Sequence, residues 1–505
     1  MNLTSTRTRA RTGALGLGAI AVSAALVLTG CGDGSSGGKA NGGSTGGAKN
    51  AKRLETHGQE VIADADGTGA EVSRRLFEKS DAVVVSGPAR DDQLRAAAVA
   101  NKLGAPMLVR LPGKDAAVDG EVQRLGAKRV VNVPGDDSDA QNTQPVGSAE
   151  PGSDVAAVAG QQPAQPLDLQ LPPMFATGAT SMAAAATARA AGADVHVLPA
   201  PDPRATSESM KTVTSQDTIA LGEQWGSTDN YSERAQLAGN GELPGGGGLV
   251  FPGRRMVALY GHPSGPALGV MGEQGPSEAA ELAKQYAEKY APLDPQPIVP
   301  AFEIIVTVAS DAPGGDGDYS NETDPAEVAP YVDAITQAGG YAVLDLQPGQ
   351  GDFLRQAKMY EDLLKRPNVG LALDAEWKLN PGEQPLSRVG SATAEEINTA
   401  ADWLAQLTRD NHLPQKAFVL HQFQVAMFPD RENIRTDHPE LAYVLHADGH
   451  GSPDQKYDTW NVLRQGLDPN FFLAWKNFID EDMPMFTPEQ TYNEVSPRPW
   501  FVSYQ

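Results

Sequence analysis

VGLALDAEWKL, Val369 to Leu379, starts as an apolar strand and ends with two carboxylates one residue apart beside a tryptophan. In an extended chain, side chains two apart point the same way. Asp374 and Glu376 therefore share a face with Gly370 and Ala372, while Leu371, Leu373 and Ala375 take the other. Small residues on one face leave room in an interior, large ones on the other pack against helices, and the two acids crown that interior.

Runs of the same character recur on either side: Arg254 to His262, Phe302 to Ser310, Tyr341 to Gln347, Ala417 to Phe423, Leu441 to Gly449, Phe471 to Asn477 and Pro499 to Gln505. Amphipathic helical stretches separate them, at Ser277 to Tyr290, Pro325 to Gly339, Gly351 to Arg366 and Thr393 to Asn411. Strands alternating with helices of this length predict a parallel sheet, and eight of them over residues 249–505 predict a closed (β/α)8 barrel. The chain reaches its eighth strand with no helix after it.

Nearly every run starts apolar and finishes polar, at His262, Asp345 and Gln347, Asp374 and Glu376, His421 and Gln422, His446 and Asp448, and Lys476 and Asn477. Barrels of this type carry their chemistry on the carboxyl ends of the strands. Two carboxyls about 6–7 Å apart by strand rise perturb each other, so that one keeps its proton as a general acid while the other ionises. That division of labour suits glycosidic cleavage, with Trp377 offering a sugar a flat apolar face.

The Asp-x-Glu strand end resembles glycoside hydrolase families 18 and 25, which by that resemblance implies a barrel fold with Glu376 as the acid and Asp374 as its partner. The group that completes the pair is open, with Glu303, Asp345 and Tyr504 as candidates. Trp377, Trp475, Tyr504, His421, Gln422, Glu303 and His262 are the expected substrate-binding residues. Two rival readings stand beside this one. A barrel that binds glycan without cleaving it needs the same cup and no turnover. Metal-assisted hydrolysis would draw ligands from His421, His446, Asp448 and His450, with Asp345 and Glu376, but no fixed-spacing ligand motif supports it, and neither a metal nor a cofactor is expected. The acidic loop Gly314 to Asp324 lacks the ordered spacing of a calcium loop.

Upstream, Asp81 to Gly87, a helix from Asp91 to Leu103, Gly104 to Pro112 and Arg124 to Gly135 form βαβ units, and Met174 to Gly178, Ala183 to Ala193 and Asp194 to Pro199 repeat the order. The stretch DDQLRAAAVANKLGAPMLV (Asp91 to Val109), followed by RLGAKRVVNVPG, resembles the type 2 cell-wall-binding repeat. That resemblance implies a flavodoxin-like parallel sheet over residues 54–240 and non-covalent retention on cell-wall polymer. Residues Ala220 to Gly226 are taken as the remnant of a third copy. Residues 136–170, rich in Gln, Pro, Gly and Asp, are expected to be a disordered insertion, and Gly245 to Gly248 mark a joint.

Residues 1–30 have a basic start at Arg7, Arg9 and Arg11, an apolar run from Ala14 to Leu28, and a small-residue site before Cys31, the sole cysteine. They resemble a bacterial lipoprotein signal, which implies acylation at Cys31 and a lipid anchor on the outer face of the cell membrane. Residues 31–53 read as a disordered tether, too poor in apolar residues to order themselves. A net charge of −24 argues against nucleic acid as a partner.

Overall fold

The computed structural model describes residues 54–147, 153–162 and 171–505, so the signal, Cys31 and the tether lie outside the described residues. The described residues are α/β, with two parallel sheets and their helices followed by an eight-stranded parallel barrel.

The first half carries β1 (Glu60–Ile62), β2 (Ala82–Ser86), β3 (Met107–Val109), β4 (Arg129–Val133), β5 (Met174–Thr177), β6 (Val195–Leu198) and β7 (Ile219–Leu221). These strands divide between two sheets, β3-β2-β4 and β1-β7-β5-β6. In each sheet the first strand of the repeated unit is central and pairs in parallel with both the second and the third. The repeat seen in the sequence is therefore a repeat of topology. It also corrects one expectation: Ala220 to Gly226 is no third copy, because it begins inside β7, the last strand of the second copy, and continues into a short helical turn.

Alanine-rich helices from the two units, Arg90–Leu103 and Met182–Ala190, share one core with both sheets. Small side chains allow this close approach. A Cβ on Gly69 would stand 2.7 Å from that of Ala183, and Thr187 Oγ1 accepts from the Met107 amide at 3.1 Å while donating to its carbonyl at 2.9 Å. The expected insertion at 136–170 is partly ordered, since its described residues include helices Ser138–Asn142 and Asp154–Ala159. Arg129 holds Asp137 and Asp139, while Val155 and Val158 are buried, so composition alone understated what these residues bond to.

The glycine joint is gripped. Arg254, 1% exposed, donates to the carbonyl of Pro244 and to those of Gly246 at 2.6 Å and Leu249 at 2.9 Å. Gly245, Gly246 and Gly247 all have left-handed φ, which only glycine adopts without strain.

The barrel strands are β8 (Arg255–Gly261), β9 (Ile298–Ala309), β11 (Tyr341–Leu346), β12 (Val369–Asp374), β13 (Lys416–Gln422), β14 (Leu441–Ala447), β15 (Phe472–Asn477) and β16 (Phe501–Tyr504). They pair in parallel in that order, and β16 meets β8 to close the ring. A short β10 (Ser320–Glu322) runs antiparallel beside the far end of β9. Alternation sorts the side chains as expected: Leu371 and Leu373 join the core between strands and helices, and Ala372 joins the inner one. Gly370 does not open space, however. Tyr341 reaches across there, its hydroxyl accepting from the Ala417 amide at 3.0 Å. Phe251, Phe472 and Trp500 cluster beside this inner core. The floor is thus filled, and the cup is confined to the carboxyl ends of the strands.

Candidate functional site

Above that floor the inward positions turn polar. Following the parity set by Ala258, Val343, Ala372, Val419, Val444 and Ala474, the next inward residues are Tyr260, Asp345, Asp374, His421, His446 and Lys476. Glu303 joins them from β9, Ser503 from β16 and Asp448 from just beyond β14. Ring closure brings side chains from eight strands to one place, which is why Lys476 meets Tyr260 from the far end of the barrel sequence.

His421 is the hub. Its Nδ1 lies 2.7 Å from Asp448 Oδ2 and its Nε2 2.8 Å from Glu303 Oε1, with Asp345 Oδ1 at 4.0 Å. Burial alone would drive the imidazole toward neutrality, but Glu303, Asp345 and Asp448 together outweigh it and hold the ring protonated well above its usual range. Lys476 Nζ sits 3.1 Å from Asp448 Oδ1 and 3.5 Å over the Tyr260 ring. The Tyr260 hydroxyl donates to Asp345 Oδ2 at 2.8 Å. His446 Nε2 lies 3.0 Å from Ser503 Oγ, and its Nδ1 3.4 Å from Glu303 Oε1.

These contacts split the acids into two kinds. Burial would raise both Glu303 and Asp448, yet His446 and His421 around the first, and Lys476 and His421 around the second, keep each ionised. Asp374 goes the other way: burial raises it well above the carboxylate range, and Asp345, Asp448 and Glu376 add to this against His421. Glu376 is raised to about 7, by burial first and then by Asp448. Asp345 is raised to about 6, chiefly by burial. The expected division within the Asp374 and Glu376 pair is therefore corrected. Both are shifted toward the proton, Asp374 because it is buried among other acids and Glu376 because it is half-buried beside Asp448, and the ionised partner is Asp448.

Glu376 also leaves the strand. β12 ends at Asp374, whose Oδ1 accepts from the Glu376 amide at 3.1 Å, and Ala375–Trp377 form a 3-10 turn. The turn swings Glu376 and Trp377 to the mouth, where both line a cavity of about 370 Å³ that also exposes Tyr260, Asp374, Asp448 and Lys476. Among the described residues the Glu376 carboxyl has no hydrogen-bond or ion-pair partner.

Four expected binding residues point elsewhere. Trp475 faces the helices, stacked on Phe486 and edge-on to Trp460. Tyr504 meets the Tyr290 hydroxyl at 2.7 Å on the same outer side. Gln422 Oε1 accepts from Arg431 at 2.9 Å. Each lies one residue out of inward parity on its strand. His262 sits in the loop after β8, its ring nitrogens 2.7 Å from Ser264 Oγ and 2.8 Å from Thr323 Oγ1. His450, by contrast, lines the cavity.

Glu303, His421 and His446 offer three donors within 4.8 Å, as do Asp374, His421 and Asp448, but both His421 nitrogens already face carboxylates and Lys476 supplies a second positive charge. In the acidic loop, Asp316, Asp318 and Glu322 converge on the Arg355 guanidinium, at 3.5, 2.5 and 3.1 Å. An arginine thus stands where a cation would.

No family model matches the chain, and no curated protein matches it. Among solved structures, the chain is similar to cellobiohydrolase II (Cel6A) from Humicola insolens in complex with glucose and cellotetraose, at 10% identity and a TM-score of 0.19, over 44% of this chain and 62% of that one. A mutant of the same enzyme bound to a thio-cellopentoside gives 12% identity and 0.19, over 44% and 61%. The chain thus spans about six-tenths of the length of these structures, and the likeness is too weak to say anything of chemistry.

Proposed function

We propose that the barrel is a glycan hydrolase whose general acid is Glu376, carried on an envelope lipoprotein. The observation that carries this reading is the contrast across one cavity between an unpartnered carboxyl raised to about 7 and an ionised Asp448 fixed by His421 and Lys476. Glu376 would protonate the departing glycosidic oxygen as the C–O bond breaks, and Asp448 would face the positive charge that develops on the sugar. Water adds across the bond in the net reaction. Trp377, at the same mouth, supplies an apolar face for a sugar ring.

The location follows from the amino-terminal reading. Acylation at Cys31 would anchor the chain, and the two repeat units would hold cell-wall polymer. The alternating topology of those units supports their kinship with each other, and the family resemblance supports the wall as ligand. The test is a panel of purified peptidoglycan and extracellular glycans, assayed for products and for binding with wild type and Glu376→Gln. Turnover that falls by about 100-fold or more in the variant while binding persists is the expected result. Binding without products from the wild type would replace the hydrolase with a glycan-binding surface protein.

A further inference from the structure

A second chamber opens beside the catalytic cup. It measures about 430 Å³ and shares Ala309, Glu376 and Trp377 with the first, so Glu376 stands on the wall between two lobes. The first lobe holds titratable groups, Asp374, Asp448 and Lys476, among apolar neighbours such as Leu268 and Phe423. The second presents Tyr319, Trp377, Leu379, Pro385, Leu386 and Val389, with Asp311 and Arg388 also in its lining. Arg388 is engaged by Glu383 at 2.8 Å.

Two further observations mark this lobe. Leu386 is 82% exposed and Val389 37%, an apolar rim left facing water. Tyr319 and Leu386 both hold left-handed backbone, at φ 64° and 60°, a conformation bulky side chains rarely adopt and one that tends to gather at ligand clamps. A pocket combining an apolar wall with a few convergent polar groups is the usual form of a site for an amphipathic ligand.

We propose that the substrate is a glycoside with an apolar aglycone, its sugar in the polar lobe and its aglycone in the apolar lobe, the bond between them lying at Glu376. This deepens the hydrolase reading and rests on it for the position of the scissile bond.

The experiment measures binding of methyl, butyl and octyl glycosides of glucose, galactose and N-acetylglucosamine to full-length Glu376→Gln by calorimetry, all below their micellar concentrations, with octanol as the control. For at least one sugar, octyl should bind at least tenfold more tightly than methyl, and octanol far more weakly than the octyl glycoside. Leu386→Ser, at an exposed position that does not threaten folding, should cut the octyl advantage at least threefold. Equal affinities along the chain series, or octanol binding as well as the glycoside, would overturn the proposal. Turnover of octyl glycosides by wild type is scored separately: its absence with the affinity pattern intact removes the hydrolase and leaves the two-lobed binding site standing.

Discussion

Replacing Glu376 with glutamine should make the barrel more stable in mild alkali, although it removes the proposed acid. The ordinary glutamate value is 4.5 and the folded carboxyl is raised to about 7, first by burial and then by Asp448. Below 4.5 the folded and unfolded chains both carry the proton, and the group contributes no pH dependence. Between 4.5 and 7 the unfolded chain ionises while the folded one keeps its proton, so stability is lost as pH rises through that window. Above 7 the full penalty stands, about 3 kcal/mol from the separation of the two values. Glutamine never ionises, so the difference in stability between variant and wild type should grow by about that amount from pH 4 to pH 8. For a barrel of this size that is on the order of 6–12 °C in Tm. Thermal unfolding of both proteins from pH 4 to pH 8 measures it, and any constant offset from altered bonding cancels in the comparison. A flat difference, or one that favours wild type as pH rises, would refute the placement of a proton-bearing Glu376 among other acids.

Lys476→Met should leave Asp448 with an unbalanced charge and lower stability at pH 7 by roughly 3–5 kcal/mol; because below the ordinary aspartate value of 3.8 the unfolded chain takes up a proton there while the folded wild type keeps Asp448 ionised, the deficit should shrink as pH falls through that value, which urea unfolding at pH 7 and pH 3.5 would reveal. Gly370→Ala would place a Cβ 2.6 Å from the Ala417 carbonyl oxygen, so the Tm should drop with a penalty of about 1–3 kcal/mol. Arg254→Met releases the carbonyls of Pro244, Gly246 and Leu249, and limited proteolysis should then cut within residues 245–248, where wild type resists. Cys31→Ser should abolish metabolic labelling with palmitate and move the protein from the membrane fraction to the medium.

The barrel was legible because its strands and helices keep their periods: the break between Phe353–Met359 and Glu361–Leu364 is the one place where an expected single helix divides, at Tyr360, whose hydroxyl donates to the Val306 and Thr323 carbonyls. Asp374 was legible from alternation on β12. Applied to the other strands, the same rule separates Lys476 from Trp475, His421 from Gln422 and Ser503 from Tyr504, and it points to Tyr260 two residues before His262. Polarity at a strand end marks the right rim of the barrel, and parity decides which side of the wall a residue serves. Which acid ionises was not legible. That depends on His421 from β13 and Lys476 from β15 flanking Asp448 at the end of the strand between them, a meeting set by the spatial order of the strands.

The grip of Arg254 on the glycine run bears on how the two halves work together. Asn240 donates to the Leu413 carbonyl at 3.2 Å and Gln415 accepts from the Val250 amide at 2.9 Å, so the connection is riveted from both sides. Were the repeats to hold a polymer, the mouth of the barrel would keep one bearing toward it, as a lamp on a bracket does, and whatever search for a ligand occurs would fall to motion of the ligand.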